Sequence, residues 1–446
     1  MKKRKIFFLI SSIFLVSCEN EELLDAKLST IIKQQSLEPL PKVENNNPEL
    51  FKLGQALFFD KILSGNKDIS CATCHHPQFG TVDCLSLGAG TKGQGLCKDR
   101  EKAEGREFVP RNSPELFNKG LSLWHAMFWD GRIELQENGQ IRTPAGKDTP
   151  EGLINVLAAQ ALFPITSRTE MRGLKGDIAV DGTKNELAEI EDGKFVEIWD
   201  KVMDRILSIQ EYVQMFEKAY PGKTQFTIAD YANAVATYEG VAFSMGNTPW
   251  DEYLRGNKKA LKYEAKLGAV LFYGKAGCYQ CHSGPLFTDQ KYHNIGVPQF
   301  GPGKDTQTGL DMGRYHVTGN PDDKYKFRTP SLRNLLVTAP YLHNGAYDSL
   351  EKVIKHHMNP EKYLRQYNPL ENGIPEDLAK TLKNDEQTIN DILSTLDINI
   401  PQLTDEEISY LVEFLKALTS PDVYNEEKME STIPERVPSG LPIDRI

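Results

Sequence analysis

The sequence predicts a mainly α-helical protein built as two similar halves with long loops, and three observations carry that prediction. First, Leu53-Gly54-Gln55-Ala56-Leu57-Phe58-Phe59 is echoed by Leu267-Gly268-Ala269-Val270-Leu271-Phe272-Tyr273. Both stretches set apolar residues at helical spacing around a glycine that lets another helix approach closely. Second, each half closes on an amphipathic helix. One runs over Thr227 to Tyr238, with Ile228, Tyr231, Ala234, Val235 and Tyr238 on one face. The other runs over Thr404 to Leu418, with Ile408, Leu411, Val412, Leu415 and Leu418 together and Thr404 and Glu407 as a capping box. Third, strand-like alternation is scarce. The chain reads as two copies of one plan, dividing near Thr248-Pro249.

With 446 residues the chain is long enough for two or three domains with full cores. Its 39% hydrophobic and 26% charged residues are ordinary for a globular protein. A net charge of −10 argues against a nucleic-acid partner and gives no basic footprint for an anionic membrane. The start is a targeting segment: Lys2, Lys3, Arg4 and Lys5, then the apolar run Ile6 to Val16, too short to span a bilayer. Its end, Leu15-Val16-Ser17-Cys18, resembles a bacterial lipobox, which implies acylation at Cys18 after removal of the leader. Residues 1–18 are thus read as a lipoprotein signal and 19–47 as a polar, flexible tether with a few ordered turns. Residues 48–247 form the first half, 248–421 the second and 422–446 a C-terminal tail. The only contact with a membrane expected is through the N-terminal lipid.

Seven cysteines sort into three sets. Cys18 is the lipid site. Two pentapeptides take four more: Cys71-Ala72-Thr73-Cys74-His75 and Cys278-Tyr279-Gln280-Cys281-His282. The spacing C-x-x-C-H is the attachment site of c-type haem: two thiols bond one porphyrin and the next residue supplies an axial imidazole. A redox dithiol would not need the histidine, and no βαβ pattern surrounds either motif. A zinc site would need both pairs in one knuckle, yet about 200 residues separate them. The sequence therefore implies two covalently bound haems. Cys84 and Cys97 remain, flanking a loop with Gly88, Gly90, Gly93 and Gly95. In an oxidising compartment they are expected to form a disulfide that clips this loop, two free thiols being the alternative.

The far axial ligands decide between electron transfer and peroxide chemistry, since a six-coordinate haem relays electrons and an open one binds peroxide. Asp348 and Glu351 read as the start of a helix that Asn359-Pro360 stops. Leu350, Val353, Ile354 and His357 share one face, which points His357 at the second haem. His356 and Met358 lie about 100° to either side. His357 is the preferred sixth ligand, with Met358, or a core histidine hydrogen-bonded nearby, as the alternatives.

Further stretches carry a family resemblance. Pro110-Arg111-Asn112-Ser113-Pro114, Phe128-Trp129-Asp130-Gly131-Arg132, Phe327-Arg328-Thr329-Pro330-Ser331-Leu332-Arg333-Asn334 and Thr338-Ala339-Pro340-Tyr341-Leu342-His343-Asn344-Gly345 occur in order with the two haem motifs. The set resembles the bacterial di-haem cytochrome c peroxidase and MauG family over about Leu50 to Ser420. The resemblance implies two cytochrome c-like domains around a shared interface. It implies a peroxidatic haem on His75, a second haem on His282 that takes electrons from a small donor of cytochrome c or cupredoxin type, and Trp129 as a bridge. Asn112 by its side chain, and Thr338 and Pro340 by their carbonyls, match ligands of a calcium ion, whose preference for oxygen suits them. Gln160 and Glu170 match distal-pocket residues and Pro164 a pocket position. A carboxylate there can shuttle the proton that peroxide cleavage requires. Taken alone, Trp129 reads more readily as a core aromatic and Glu170 as a surface charge.

Two departures stand out. Where the typical peroxidase has a histidine capping the peroxidatic iron, this chain has Ala103-Glu104-Gly105-Arg106-Glu107-Phe108-Val109. The first haem is therefore expected to be open already in the oxidised protein. At the second haem the family carries methionine or tyrosine where this chain offers His357. The expected function is hydrogen peroxide reduction by a periplasmic or outer-membrane-associated enzyme. MauG-like oxidation of a protein or organic substrate and pure electron transfer are the alternatives, and a homodimer is compatible with all three. Asp177 to Phe195 reads as an acidic surface excursion, and Lys362 to Pro401 as a partly helical insertion.

Overall fold

The computed structural model describes residues 21–305 and 307–446; the leader and the acylation expected at Cys18 lie outside them. The protein is mainly helical, and its two halves are built by the two helix pairs that the repeat anticipates. In the first, the helix Pro48–Phe59, capped by Asn47 and opened by Pro48, crosses Ile228–Ala242, which Thr227 and Asp230 cap reciprocally. In the second, Tyr263–Phe272 crosses Asp405–Lys416, with Thr404 and Glu407 as the capping box. The two glycines explain how close these crossings are. A Cβ at Gly54 would stand 1.9 Å from the Ala234 carbonyl oxygen, and one at Gly268 would stand 1.9 Å from that of Tyr410. Only a residue without a side chain fits at either crossing.

Each helix pair builds its own core. Leu57, Phe58, Phe59, Ala72, Trp199 and Tyr238 close the first around Cys71 and Cys74. Trp250, Phe272, Phe287, Phe414 and Leu415 close the second, with Cys278 against it. Among the described residues, strand is confined to an antiparallel meander of Ala126–Met127, Ile133–Leu135 and Ile141–Arg142, and a pair of Tyr292–His293 with Phe327–Arg328. The 362–401 insertion adds short helices, among them Glu386–Ser394, over a small cluster of Leu364, Ile389 and Ile392.

The N-terminal stretch departs from expectation. The stretch 19–47, read as a flexible tether, is helical over 21–34 and docks on the second half. Leu24 and Leu28 are buried, and Ile31 and Ile32 pack against the second core. Their spacing of four and then three or four is the helical signal that the polar residues between them mask. Lys266, whose side chain is 1% exposed, reaches Glu21 and Asp25 at 2.9 Å each, and Tyr253 donates to Asp25 at 2.7 Å. The 422–446 tail is equally ordered and returns to the first half. Met429, Ile433 and Val437 join its core, Ser439 donates to Asp60, and Asp444 pairs with Lys61. Among the described residues no helix is long and apolar enough to cross a membrane.

Candidate functional site

Each C-x-x-C-H motif sits on a short helical turn, Cys71–Cys74 capped by His75 and Cys278–Gln280 capped by Cys281 just before His282. Cys71, Cys74, Cys278 and Cys281 are all free and half-buried. Burial first, then the charges of Asp83 and Glu170, offset by Arg100, push the Cys74 thiol up to about 12. The Nδ1–H of His75 donates to the Thr81 carbonyl at 3.0 Å, and that of His282 to the Phe287 carbonyl at 3.1 Å. Burial lowers both imidazoles to about 4, in His282 with the positive charge of His357 adding to it. Both rings are therefore neutral at physiological pH, and each spends Nδ1 on a backbone carbonyl. That is how a protein prepares an imidazole to bind a metal.

The two histidines differ in what faces them. His357 ends the helix Leu350–Met358 and lies within electrostatic reach of His282. Its Nδ1–H is likewise spent on a carbonyl, that of Val353 at 2.8 Å, leaving Nε2. His356 is fully buried, bonded to the Tyr347 hydroxyl at 2.9 Å and the Ile295 carbonyl at 2.7 Å. Met358 packs against the second core. The helix cap differs from the sequence reading: Ser349 caps it, and Asp348 pairs with Lys352 instead.

No imidazole takes the corresponding place near His75. All nine histidines lie among the described residues; of the five others, four are engaged by other groups and His125 is exposed. His76 turns to the Asp444 carbonyl, and His125 is exposed. His293 is held by Asp289 and Asp397, and His316 accepts from the Met312 N–H. His343 stacks on Phe327 at 3.5 Å. What lies within electrostatic reach of Cys74 instead is Glu170. It sits on one wide helical turn, Arg168–Arg172, that follows Val156–Ala161, which carries Gln160, and the turn Pro164–Thr166. Burial raises the Glu170 carboxyl, while Arg132, Lys304 and a bond to Ser167 hold it back. The roles of Arg132 and Lys304 could not be read from sequence, because one follows a turn and the other comes from the opposite half.

Between the halves, Trp129 donates its indole N–H to the Asn112 carbonyl at 2.9 Å, while its own carbonyl accepts from the Arg328 N–H at 2.7 Å. Asn112 receives two further ties: its N–H donates to the His343 carbonyl at 2.8 Å, and its amide to the Leu85 carbonyl at 2.7 Å. Asn112 is thereby set beside the loop that carries Thr338 and Pro340. Cys84 and Cys97 are joined in a disulfide with Cα atoms 4.9 Å apart. The glycine loop it closes is held by Arg100, which donates to the carbonyls of Ala89, Gly90 and Gly95.

Residues 48–259 match the family model of di-haem cytochrome c peroxidase. The chain is 31% identical over 335 residues to the methylamine utilization protein MauG of Methylorubrum extorquens, covering 75% of each. The chain belongs to the di-haem cytochrome c peroxidase family. It is also 30% identical over 361 residues to the cytochrome c551 peroxidase of Nitrosomonas europaea, covering 81% of this chain and 88% of that one. Among solved structures, the diheme peroxidase BthA of Burkholderia thailandensis superposes with a TM-score of 0.55 at 19% identity, over 91% of this chain and 94% of that one. The family is one of haem oxidoreductases, and the residues here fit two c-type haems. Four unpaired thiols stand at attachment spacing, each pair followed by a neutral imidazole whose Nδ1–H is spent on a backbone carbonyl.

Proposed function

We propose that this member of the family reduces hydrogen peroxide, with His75 marking the peroxide-binding centre and His282 the electron-entry centre. The observation that carries this assignment is the asymmetry of the two histidines. His357 lies within electrostatic reach of His282, with its Nδ1–H spent on its own helix, whereas Glu170 lies within electrostatic reach of Cys74 in the His75 motif. When bound, the two haems would supply a peroxide-reactive iron at His75 and an electron store at His282, with His282 and His357 the residues that would hold the latter. In the overall reaction, one peroxide takes two electrons and two protons and leaves as two waters. Glu170 serves the protons: its raised affinity lets it take one from the near peroxide oxygen and return it to the far one. Gln160 orients the peroxide by hydrogen bonding. Trp129, bonded to both halves, is the bridge between the centres.

Several finer assignments belong to the same proposal. Residues 48–247 and 248–421 are the two cytochrome c-like domains. Asn112, Thr338 and Pro340 hold a calcium ion between them, supported by the bond from Asn112 to the loop of the other two. Cys18 anchors the protein by lipid at the periplasmic side or the outer membrane, and a small cytochrome c or cupredoxin donates the electrons. The deciding experiment is a steady-state assay with peroxide and a reduced cytochrome, joined to a spectrum of the oxidised protein. Turnover with one high-spin and one low-spin ferric centre is expected. Two low-spin centres that ignore peroxide in every reduction state refute the proposal.

A further inference from the structure

The turn that carries Glu170 is held by its own backbone. Three successive carbonyls each accept from a different segment: Glu170 from the Thr91 N–H, Met171 from the Gly65 N–H and Arg172 from the Asn185 amide, all at 2.8 Å. Two glycines mark how tightly the neighbours press. A Cβ at Gly90 would stand 1.8 Å from the Thr169 carbonyl oxygen, and one at Gly65 would stand 1.9 Å from that of Arg172. Of the three donors only Asn185 is a side chain. It comes from the acidic 177–195 excursion, to which nothing above gives a role.

Asn185 is fully buried and its hydrogen bonds are satisfied. Its amide also donates to Asn66 at 3.0 Å, and its oxygen caps the Glu186–Glu189 helix by accepting from Ala188 at 3.0 Å. Asn66, also fully buried, passes the chain on to Thr91 at 2.8 Å and Asp177 at 2.9 Å. The same excursion holds the turn from outside. Asp192 accepts from Arg168 at 2.7 Å and from Arg172, the two arginines that flank Glu170, and Arg168 also bonds the carbonyls of Ala188 and Ile190. The Asn185–Asn66–Thr91 part of this network is buried, and linked bonds there fix geometry more firmly than separate bonds would.

We propose that Asn185 is a positioning residue for Glu170, and that the 177–195 excursion is the brace that fixes the acid–base carboxylate over its centre. This rests on the role of Glu170 given above. A misplacement of an ångström can slow a reaction about a hundredfold without touching the reacting groups.

The test is a double-mutant cycle on the di-haem holoenzyme, reading the pre-steady-state rate with hydrogen peroxide across pH. Asn185→Ala should slow that rate by about ten- to a hundredfold and shift its pH profile, with both haem spectra retained. In a Glu170→Gln background the same change should cost nothing further, and hydrogen exchange over 168–173 should rise. If Asn185→Ala reacts like the parent, slows the Glu170→Gln enzyme by the same factor, or leaves exchange unaltered, the brace is refuted. If Glu170→Gln alone reacts at the parent rate, the acid–base role falls first, and that outcome is distinct. Should Asn185→Ala not fold, the exposed Asp192→Asn decides by the same cycle, with the same expected direction.

Discussion

At the residue scale, neighbours on one helix separate by what each ring nitrogen meets. His357 spends Nδ1 on its own helix and keeps Nε2; His356 spends both nitrogens, on Tyr347 and Ile295. His357→Ala should convert the low-spin ferric centre to high spin. His356→Ala should leave the spin state alone and cost about 1–3 kcal/mol, because a buried hydroxyl and carbonyl lose their partner. Optical and paramagnetic-resonance spectra together with thermal melts separate the two, and an unaltered spectrum in His357→Ala removes it as the ligand. At the other centre, Glu170→Gln should slow peroxide cleavage by about 10²- to 10⁴-fold with both spectra intact, as for loss of a proton shuttle.

At the scale of elements, the parts that were legible in sequence are those where one local rule decides. The repeat, both closing helices and the Thr404 cap follow from period and capping. Glycine at the crossings is equally local in its logic, so Gly268→Ala should force the Tyr410 carbonyl away and cost at least about 1–3 kcal/mol in a melt of the second half. A Gly268→Ala protein as stable as its parent would mean that the helices part freely. The Cys84–Cys97 bridge closes a separation of 13 residues, and Cys97→Ser should lower stability by about 3 kcal/mol and loosen the loop that meets the Glu170 turn. What was not legible depends on partners far along the chain. The 21–34 helix looks polar until Lys266 is seen to neutralise Glu21 and Asp25. The 177–195 excursion looks like loose surface until Asn185 meets the Arg172 carbonyl. For Glu170 itself, composition and period say nothing, and only the family pattern singled it out.

At the scale of the molecule, the chain ties its halves together with its own ends. The helix at 21–34 precedes the first half but docks on the second, and the 422–446 tail follows the second but docks on the first. Between them the interface is pinned by a buried charge cluster. Arg111 meets Asp130 at 2.6 Å and, from the opposite half, Asp311 through two bonds at 2.6 and 2.8 Å. Burial would raise both aspartates, yet Arg111 holds each well below the usual carboxylate range. The sign of the pH dependence follows. In the unfolded chain these groups protonate near the ordinary value of 3.8, while in the folded protein they stay ionised further down. Their stabilisation is therefore complete above about pH 4 and is lost as the pH falls through their folded values. Glu239 runs the other way: burial raises it to about 8, so its contribution declines from 4.5 upward as the pH rises toward that value. Comparing a variant with its parent isolates the interface. Asp311→Asn leaves Arg111 partly unpaired, which should cost about 3–5 kcal/mol at pH 7 and slow electron transfer between the centres as the halves loosen. Because the acid-labile partner is gone, the penalty should shrink as the pH drops below 4, and the two stability curves should converge. Parallel curves across that range would mean that the Asp311 carboxylate does not bear the charge that joins the halves.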